Sequence, residues 1–412
     1  MKARPGALER ENVQTITDAE TAPLHRVLLT TLERAEALGY CGYSKFDGLS
    51  SPVTQALSFG CWPLRLAWTQ LVMRAPVNVR PGLGVRKGVN PEGLALFAHA
   101  NLACVAMGWS GSFAERARQC LDRLVGDEAA SAGSYHGRCW GYQHPWQSPG
   151  FYQPPHFPNC YMTVIVAGAL LGGYRVFQRP EYLQAARSAA DFLLHDLQVF
   201  YEDAAAKCIA YVPHMRAPLQ VININALAGA FLAQVGVATG ETFLGAEARK
   251  LLTFVAQHQT PYGAWYYTTE PRQSLVAHDN YHTGMILDAF WAYAQSTGDE
   301  RYREVYRRGL DYYRQQLFLP NGAPRWTSTS TWPHDVHGSA QGTLTFALAG
   351  ELDLARRIAT WALEHFYKGQ GDFAYQQGRV LRKRFTLLHW CNGWMARALA
   401  ALLLAWPARP IQ

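Results

Sequence analysis

The stretch His278-Asp279-Asn280-Tyr281-His282-Thr283-Gly284-Met285-Ile286-Leu287 opens a segment, 277–342, whose reading decides the fold. Behind this polar head, Gly284, Met285, Ile286, Leu287, Ala289, Phe290 and Ala292 leave little polar surface on any side. That is the pattern of a helix buried all round. A second helix, Glu300 to Gln316, carries Arg301, Arg303, Glu304, Arg307, Arg308, Asp311 and Arg314 beside a stripe of Tyr302, Val305, Tyr306, Leu310 and Tyr313, so it has one dry face. Gly322-Ala323-Pro324-Arg325-Trp326 follows, and at Asp335-Val336-His337-Gly338 the series restarts, with His337 placed 55 positions after His282. The unit is a polar head, a buried helix, a wet helix and a glycine-aromatic segment.

Outward from this unit the chain repeats it. Small, apolar helix patterns begin near Asn90, Asn159, Asn223, Asn280, Asp335 and Cys391, at intervals of 69, 64, 57, 55 and 56 residues. Polar partners follow the first five at Gly111 to Leu124, Glu181 to Leu197, Glu241 to His258, Glu300 to Gln316 and Glu351 to Tyr367. Four of these run into a glycine-aromatic segment, at Gly137, Gly263, Gly322 and Gly371, whose glycine is expected to supply the turn. Cys208-Ile209-Ala210-Tyr211 keeps only the aromatic. The sixth buried helix, Leu388 to Leu404, has no partner behind it, and the N-terminal helix Pro23 to Leu38 can supply one. The fold class predicted is all-α, an (α/α)6 toroid with short hairpin-like glycine-aromatic segments at the barrel mouth. Closure is preferred to an open solenoid because the two ends are complementary. Residues 23–406 then form a single toroid domain behind a polar segment, 1–22.

Composition bounds the function. A chain of 412 residues with 49% hydrophobic and 17% charged residues can bury a large core. The first 22 residues lack an apolar h-region, which predicts no secretory leader and a cytoplasmic chain with eight reduced, scattered cysteines. No uninterrupted apolar run reaches the length of a transmembrane helix. A dispersed net charge of +7 is a mild bias toward anions and not a nucleic-acid footprint.

In a toroid the inner helices run parallel, so their N-termini converge at one end with free backbone N–H groups and positive dipole ends. Gathered there would be Glu92, Tyr161, Asn223, Asn225, Asp279, Tyr281, His282, Asp335, His337 and His389, while Asn90, Asn159, Asn223 and Asn280 also suit helix capping. The glycine-aromatic segments feed the same rim with Trp140, Tyr142, His144, Trp146, Tyr211, His214, Trp265, Tyr266, Trp326 and Tyr375. Aromatic walls with polar edges suit sugars. Arg216, Arg325 and other basic residues before the inner helices, including Arg80, would suit a carboxylate. The partner predicted is therefore an oligo- or polysaccharide, anionic or lipid-linked; the oligomeric state is not readable.

Three strings, Tyr43-Ser44-Lys45-Phe46-Asp47-Gly48-Leu49-Ser50-Ser51-Pro52, Asn90-Pro91-Glu92-Gly93-Leu94-Ala95-Leu96-Phe97 and Asp279-Asn280-Tyr281-His282-Thr283-Gly284, resemble those of a bacterial toroid family found with polysaccharide-assembly proteins. The likeness spans roughly residues 24 to 405. That family is distantly similar to the C-terminal domains of D-glucuronyl C5-epimerases and to uronate-acting toroid lyases. The resemblance implies removal of the C5 proton beside a uronate carboxylate by tyrosine or histidine, at the matching positions Tyr281 and His282.

Such chemistry needs a base, an acid on the opposite face or at the leaving oxygen, and a group that stabilises the carboxylate. His282 or His337 suits the base, Tyr281 or Tyr211 the acid, and Asn225 with Arg216 or Arg325 the clamp. Glycan hydrolysis is the runner-up and would use two carboxylates from Asp279, Asp335 and Glu92. A glycan-binding toroid without turnover is a third reading. His389-Trp390-Cys391-Asn392-Gly393 also weakly resembles the Trp-Cys-x-Gly string of toroid zinc enzymes that make thioether rings, which would place Cys160, His337 and Cys391 around a metal. The present chain lacks the adjacent Cys-His pair of those enzymes, so no cofactor is expected.

Overall fold

The structure, a computed structural model, describes residues 20–126, 135–215, 219–272, 274 and 277–406. The helices in chain order are α1 (Ala22–Ala37), α2 (Pro52–Ser58), α3 (Trp62–Arg74), α4 (Pro91–Ala106), α5 (Phe113–Gly126), α6 (Cys160–Phe177), α7 (Pro180–His195), α8 (Ile222–Thr239), α9 (Thr242–Gln257), α10 (Asn280–Thr297), α11 (Arg303–Gln316), α12 (Val336–Leu348), α13 (Leu352–Phe366) and α14 (Trp394–Ala405). Helices α4, α6, α8, α10, α12 and α14 each pack against the next, and α14 returns to α4, so the inner ring closes. Outside them α5, α7, α9, α11 and α13 pair with the preceding inner helix, and α1 packs on α14. This is the (α/α)6 toroid. The expectation that the N-terminal helix completes the ring holds.

The inner helices are inside because they have no wet face. In α8, Ile222 through Ala226 are buried without a break, whereas α11 buries only Gly309, Leu310 and Tyr313. Two inner helices, Cys160–Phe177 and Ile222–Thr239, are long and apolar enough to cross a membrane, yet 67% and 72% of their residues are buried within the ring. Gly284 shows why small residues recur on these helices: a Cβ there would stand 2.4 Å from Gln341 Cγ on α12. The glycines of the glycine-aromatic segments do more than turn the chain. Gly371 (φ +80°) presses on the backbone of α1, where a Cβ would lie 2.3 Å from the Thr30 carbonyl, and so seals the ring.

Small antiparallel ladders frame the end where the inner helices begin. They pair Cys41–Gly42 with Gly88–Val89, Trp146–Gln147 with Tyr152–Gln153, and His334–Asp335 with Gln376–Gln377, which pairs in turn with Arg382–Lys383. Two features depart from the regular pattern. Helices α2 and α3 stand outside the repeat, and the last inner helix opens with a π-turn, Leu388–Gly393, before regular winding from Trp394. Such turns offset side chains from the helical register and often carry functional groups.

Candidate active site

Four inner helices begin on a side-chain cap, from Asn90, Asn159, Asp279 and Asp335. Asn223 and Asn280 do not cap: Asn280 bonds the Leu317 carbonyl and the Tyr313 hydroxyl, and α8 starts on Val221 without a side-chain cap.

On α10 the cap and the histidine are one device. Asp279 Oδ1 accepts from the His282 backbone N–H at 2.8 Å, and Oδ2 meets His282 Nδ1 at 2.6 Å. A spacing of three residues puts both groups over the same turn. The carboxylate accepts the Nδ1 proton, which leaves Nε2 as the basic nitrogen. On α12 the spacing is two. Asp335 Oδ1 accepts from the His337 backbone at 2.9 Å and from Trp390 Nε1 at 2.9 Å, and Oδ2 accepts from Gln376 at 2.6 Å. Among the described residues nothing bonds the His337 ring: both its nitrogens are buried without a partner, between Tyr281 (4.9 Å between centroids, 13°) and Trp394 (4.3 Å, 26°). Burial, reinforced by the charge of Lys45, holds His337 well below the usual histidine range, so the ring is neutral.

Across the ring Glu92, on the first turn of α4, accepts at Oε1 from Tyr161 (2.8 Å) and Trp394 (2.9 Å). Its Oε2 lies 3.7 Å from His389 Nε2. Burial raises the Glu92 carboxyl and pushes His389 down to about 3, so the imidazole is uncharged and this contact is not an ion pair. Asn223 Oδ1 also faces the interior unbonded.

The group that sequence reasoning passed over is Lys45. It is 4% exposed, its Nζ lies 3.6 Å from the Trp390 ring centroid and 5.3 Å from that of Tyr281, and it has no hydrogen bond or ion pair among the described residues. Burial lowers it to about 8, against the opposing pull of Asp335 and Asp279. Its turn is clasped from behind: Arg80 Nε pairs with Asp47 at 2.6 Å, Arg80 Nη2 donates to the Ser44 and Lys45 carbonyls, and Asp47 accepts from Ser44 N–H. An ion pair this buried is costly to break from one side, at about 3–5 kcal/mol.

These groups surround an inner chamber of about 130 Å³ that opens past Lys45, Phe46, Trp146, Tyr267, Tyr281 and His282 into an outer cleft of about 620 Å³. Of the expected residues, Glu92, Tyr142, His144, Trp146, Tyr161, Tyr211, Asn223, Tyr281, His282, His337 and His389 line the chamber, and Trp326 and Tyr375 line the cleft. Asp279 and Asp335 stand behind the walls. The others are elsewhere. Trp140 and Trp265 are core, each donating its indole N–H to the preceding outer helix, at the Leu124 and Val255 carbonyls. Asn225 is spent on the Ile209 and Val221 backbone, His214 is exposed, and Arg325 lines a groove between α11 and α13. Arg216 lies outside the described residues.

The zinc set does not assemble. Cys160 bonds the Ile224 carbonyl, Cys391 accepts from the Leu387 N–H, and no group of three potential ligands among the described residues could hold a metal. Beyond the expected residues the walls hold Lys45, Phe46, Tyr267 and Trp390; Lys45 and Phe46 lie within the first resembling string and Trp390 within the one that resembles the zinc enzymes, while Tyr267 had no sequence cue.

No protein-family model matches the chain, and no curated protein matches it in sequence. Its likeness is to solved structures. Cellobiose 2-epimerase from Bacillus thermoamylovorans B4167 superposes with a TM-score of 0.60 at 12% identity, over 77% of this chain and 87% of the epimerase. An unsaturated glucuronyl hydrolase specific for heparin gives 0.61 at 13% identity, over 94% and 97%. The unsaturated glucuronyl hydrolase of Bacillus sp. GL1 gives 0.59 at 11% identity, over 92% and 96%. At these identities the likeness is one of fold.

Proposed function

We propose that the chain is a carbohydrate-active enzyme that removes the proton beside the carboxylate of a uronate-type sugar, giving C5 epimerisation or β-elimination. One observation carries the reading: the buried, unpaired Lys45 ammonium stands over the Tyr281 ring that both His282 and His337 touch. A cation kept dry beside two histidines is suited to a ligand that brings its own carboxylate.

The division of labour follows from the hydrogen bonds. Lys45 pairs with the uronate carboxylate and stabilises the negative charge that builds on it as C5 loses its proton. His282 Nε2 takes that proton, with Asp279 holding the ring and stabilising its charged form. Neutral His337 and the Tyr281 hydroxyl supply protons or hydrogen bonds from the other side. Tyr142, Tyr211, Trp146 and Trp326 give the chamber and cleft the aromatic walls that sugar rings stack on. The names of the neighbours, an epimerase of a disaccharide and hydrolases of glucuronyl units, support a saccharide substrate. The three resembling strings support a role in bacterial polysaccharide assembly or modification. Hydrolysis by Asp279 and Asp335 is disfavoured because both carboxylates are occupied as caps behind the walls.

The test is proton NMR of uronate-containing oligosaccharides incubated with the protein in deuterated water, with His282→Ala as control. Loss of the H5 signal without cleavage means epimerisation, and a new unsaturated-sugar signal means elimination. New reducing ends with H5 intact would overturn the proposal in favour of hydrolysis. Binding with no chemical change would make the toroid a glycan-binding module.

A further inference from the structure

Between Asp47 and Glu92 the chain has no acidic residue, and none follows Asp372. These two segments meet at the cleft. Lys383 Nζ donates to the Met73 carbonyl at the end of α3, and both segments line the cleft, through Leu66 and Gln70 of α3 and through Gln376 and Lys383. Trp62 lies one turn before Leu66 on the same face of α3.

These segments turn several large apolar side chains outward. Phe59 (80% exposed), Trp62 (57%) and Leu71 (61%) stand on the α2–α3 excursion, and Val380 (88%) and Leu381 (63%) form the tip of the turn between Gln377 and Arg382. The same two segments carry Arg74, Arg86, Lys87, Arg379, Arg382 and Arg384, which are exposed and make no ion pair among the described residues. On α11, by contrast, Arg303, Arg307 and Arg314 are each paired with an acid. The excursion also adds nothing to ring closure.

We propose that the α2–α3 excursion and the 378–384 turn are a membrane-interface foot that docks the cleft on an anionic lipid surface. Exposed large apolar groups ringed by unpaired cations, without an acid among them, are what a bilayer with acidic headgroups selects. A second copy of this chain would meet the same positive charge and be repelled. The inference is independent of the reaction proposed above. It places the opening of the cleft against the headgroup layer, where a sugar carried on a lipid would present itself.

The test is co-sedimentation of the full chain with vesicles of phosphatidylcholine alone or enriched in phosphatidylglycerol, at low and high salt. Binding to the anionic vesicles only, weakened by salt, is expected. The double variant Phe59→Ser/Trp62→Ser and the triple variant Arg379→Gln/Arg382→Gln/Arg384→Gln should each lower partitioning by about tenfold or more. None of these side chains lines the chamber or cleft, so turnover of a short soluble substrate should be unchanged. A second readout uses the wild-type chain: brominated lipid should quench its fluorescence, and Trp62→Phe should lose that quenching. No binding to either vesicle overturns the proposal. So does equal binding to both. Sedimentation showing a dimer that the Phe59→Ser/Trp62→Ser variant splits, without vesicle binding, would reassign the surface to self-association.

Discussion

Helices α10 and α12 begin alike, with an aspartate cap and a histidine on the first turn, and end up chemically opposite. At α10 the histidine is three residues beyond the cap, and Asp279 holds both its backbone and its ring. At α12 it is two residues beyond, the carboxylate turns to Gln376 and Trp390, and the His337 ring is left dry and unbonded between aromatic planes. One residue of spacing on a helix rotates a side chain by about 100°. That rotation separates an imidazole held by a carboxylate from a neutral, unbonded one. The comparison can be broken at each corner in turn.

The largest effect belongs to the oriented histidine. His282→Ala should lower kcat on a uronate substrate by about 10³-fold, within the range of a lost general base. Asp279→Asn should keep the cap but lose the carboxylate behind the ring, giving a smaller fall in kcat with KM little changed. Steady-state kinetics on both variants checks this; equal activity in His282→Ala would remove His282 from the chemistry.

Next comes Lys45, which serves both corners through Tyr281. Lys45→Met should raise KM for an acidic sugar by about tenfold to a hundredfold, and leave binding of a neutral sugar nearly unchanged. The same variant should be more stable. A lysine brought from 10.5 to about 8 costs roughly 3 kcal/mol while it is charged, by the free energy of such a shift. The sign follows from linkage. The unfolded chain holds this proton up to its ordinary range and the folded chain releases it near 8, so the cost is in full force below 8 and fades as pH rises from there. Affinity for an anionic ligand should fall over the same rise. Denaturant titrations and ligand titrations at two pH values measure both.

The third is the dry histidine. His337→Leu should lower kcat by about tenfold while leaving stability at neutral pH unchanged or up by about 1 kcal/mol, since an unsatisfied polar ring is replaced by an apolar one. Its pH signature is more telling. Below its ordinary value of 6.5 a histidine takes a proton in the unfolded chain, and His337 does not in the folded one, so stability falls as pH falls. His389, at about 3, adds to the same limb. The variant should lose part of that acid sensitivity, visible as a flatter plot of unfolding free energy between pH 6 and pH 4, roughly the range in which an ordinary histidine fills. An unchanged slope would mean that the ring is solvated and charged.

The six inner helices, their polar heads and the closure by α1 were legible in the sequence because the helical period is local, but on α10 the cap is Asp279 and not the expected Asn280. What was hidden is tertiary. Trp140 and Trp265 follow a glycine just as a cleft aromatic would, and only the packing shows their N–H groups buried against the outer helix behind them. Arg325 sits beside Trp326 in sequence but faces the groove between α11 and α13. Lys45 stands in the first resembling string, where nothing local marks it as buried. Its burial depends on Trp390, brought from 345 positions away by a π-turn that periodicity does not reveal.

The smallest expected effect probes that long-range link. Asp335→Asn keeps an oxygen for the His337 N–H and Trp390 Nε1, but sets an amide against the Gln376 Nε2 donor. Gln376 can turn its amide over and restore the bond, so stability should fall by only about 1 kcal/mol. The charge change reaches further than the bond. Asp335 is the largest of the influences that hold Lys45 up against burial, so its loss should lower Lys45 further. The pH at which acidic-sugar affinity declines should then move down, while Gln376→Leu, which removes the bond and spares the charge, should leave it in place. If the two variants shift the profile equally, the link from α12 to Lys45 runs through the position of Trp390 and not through charge.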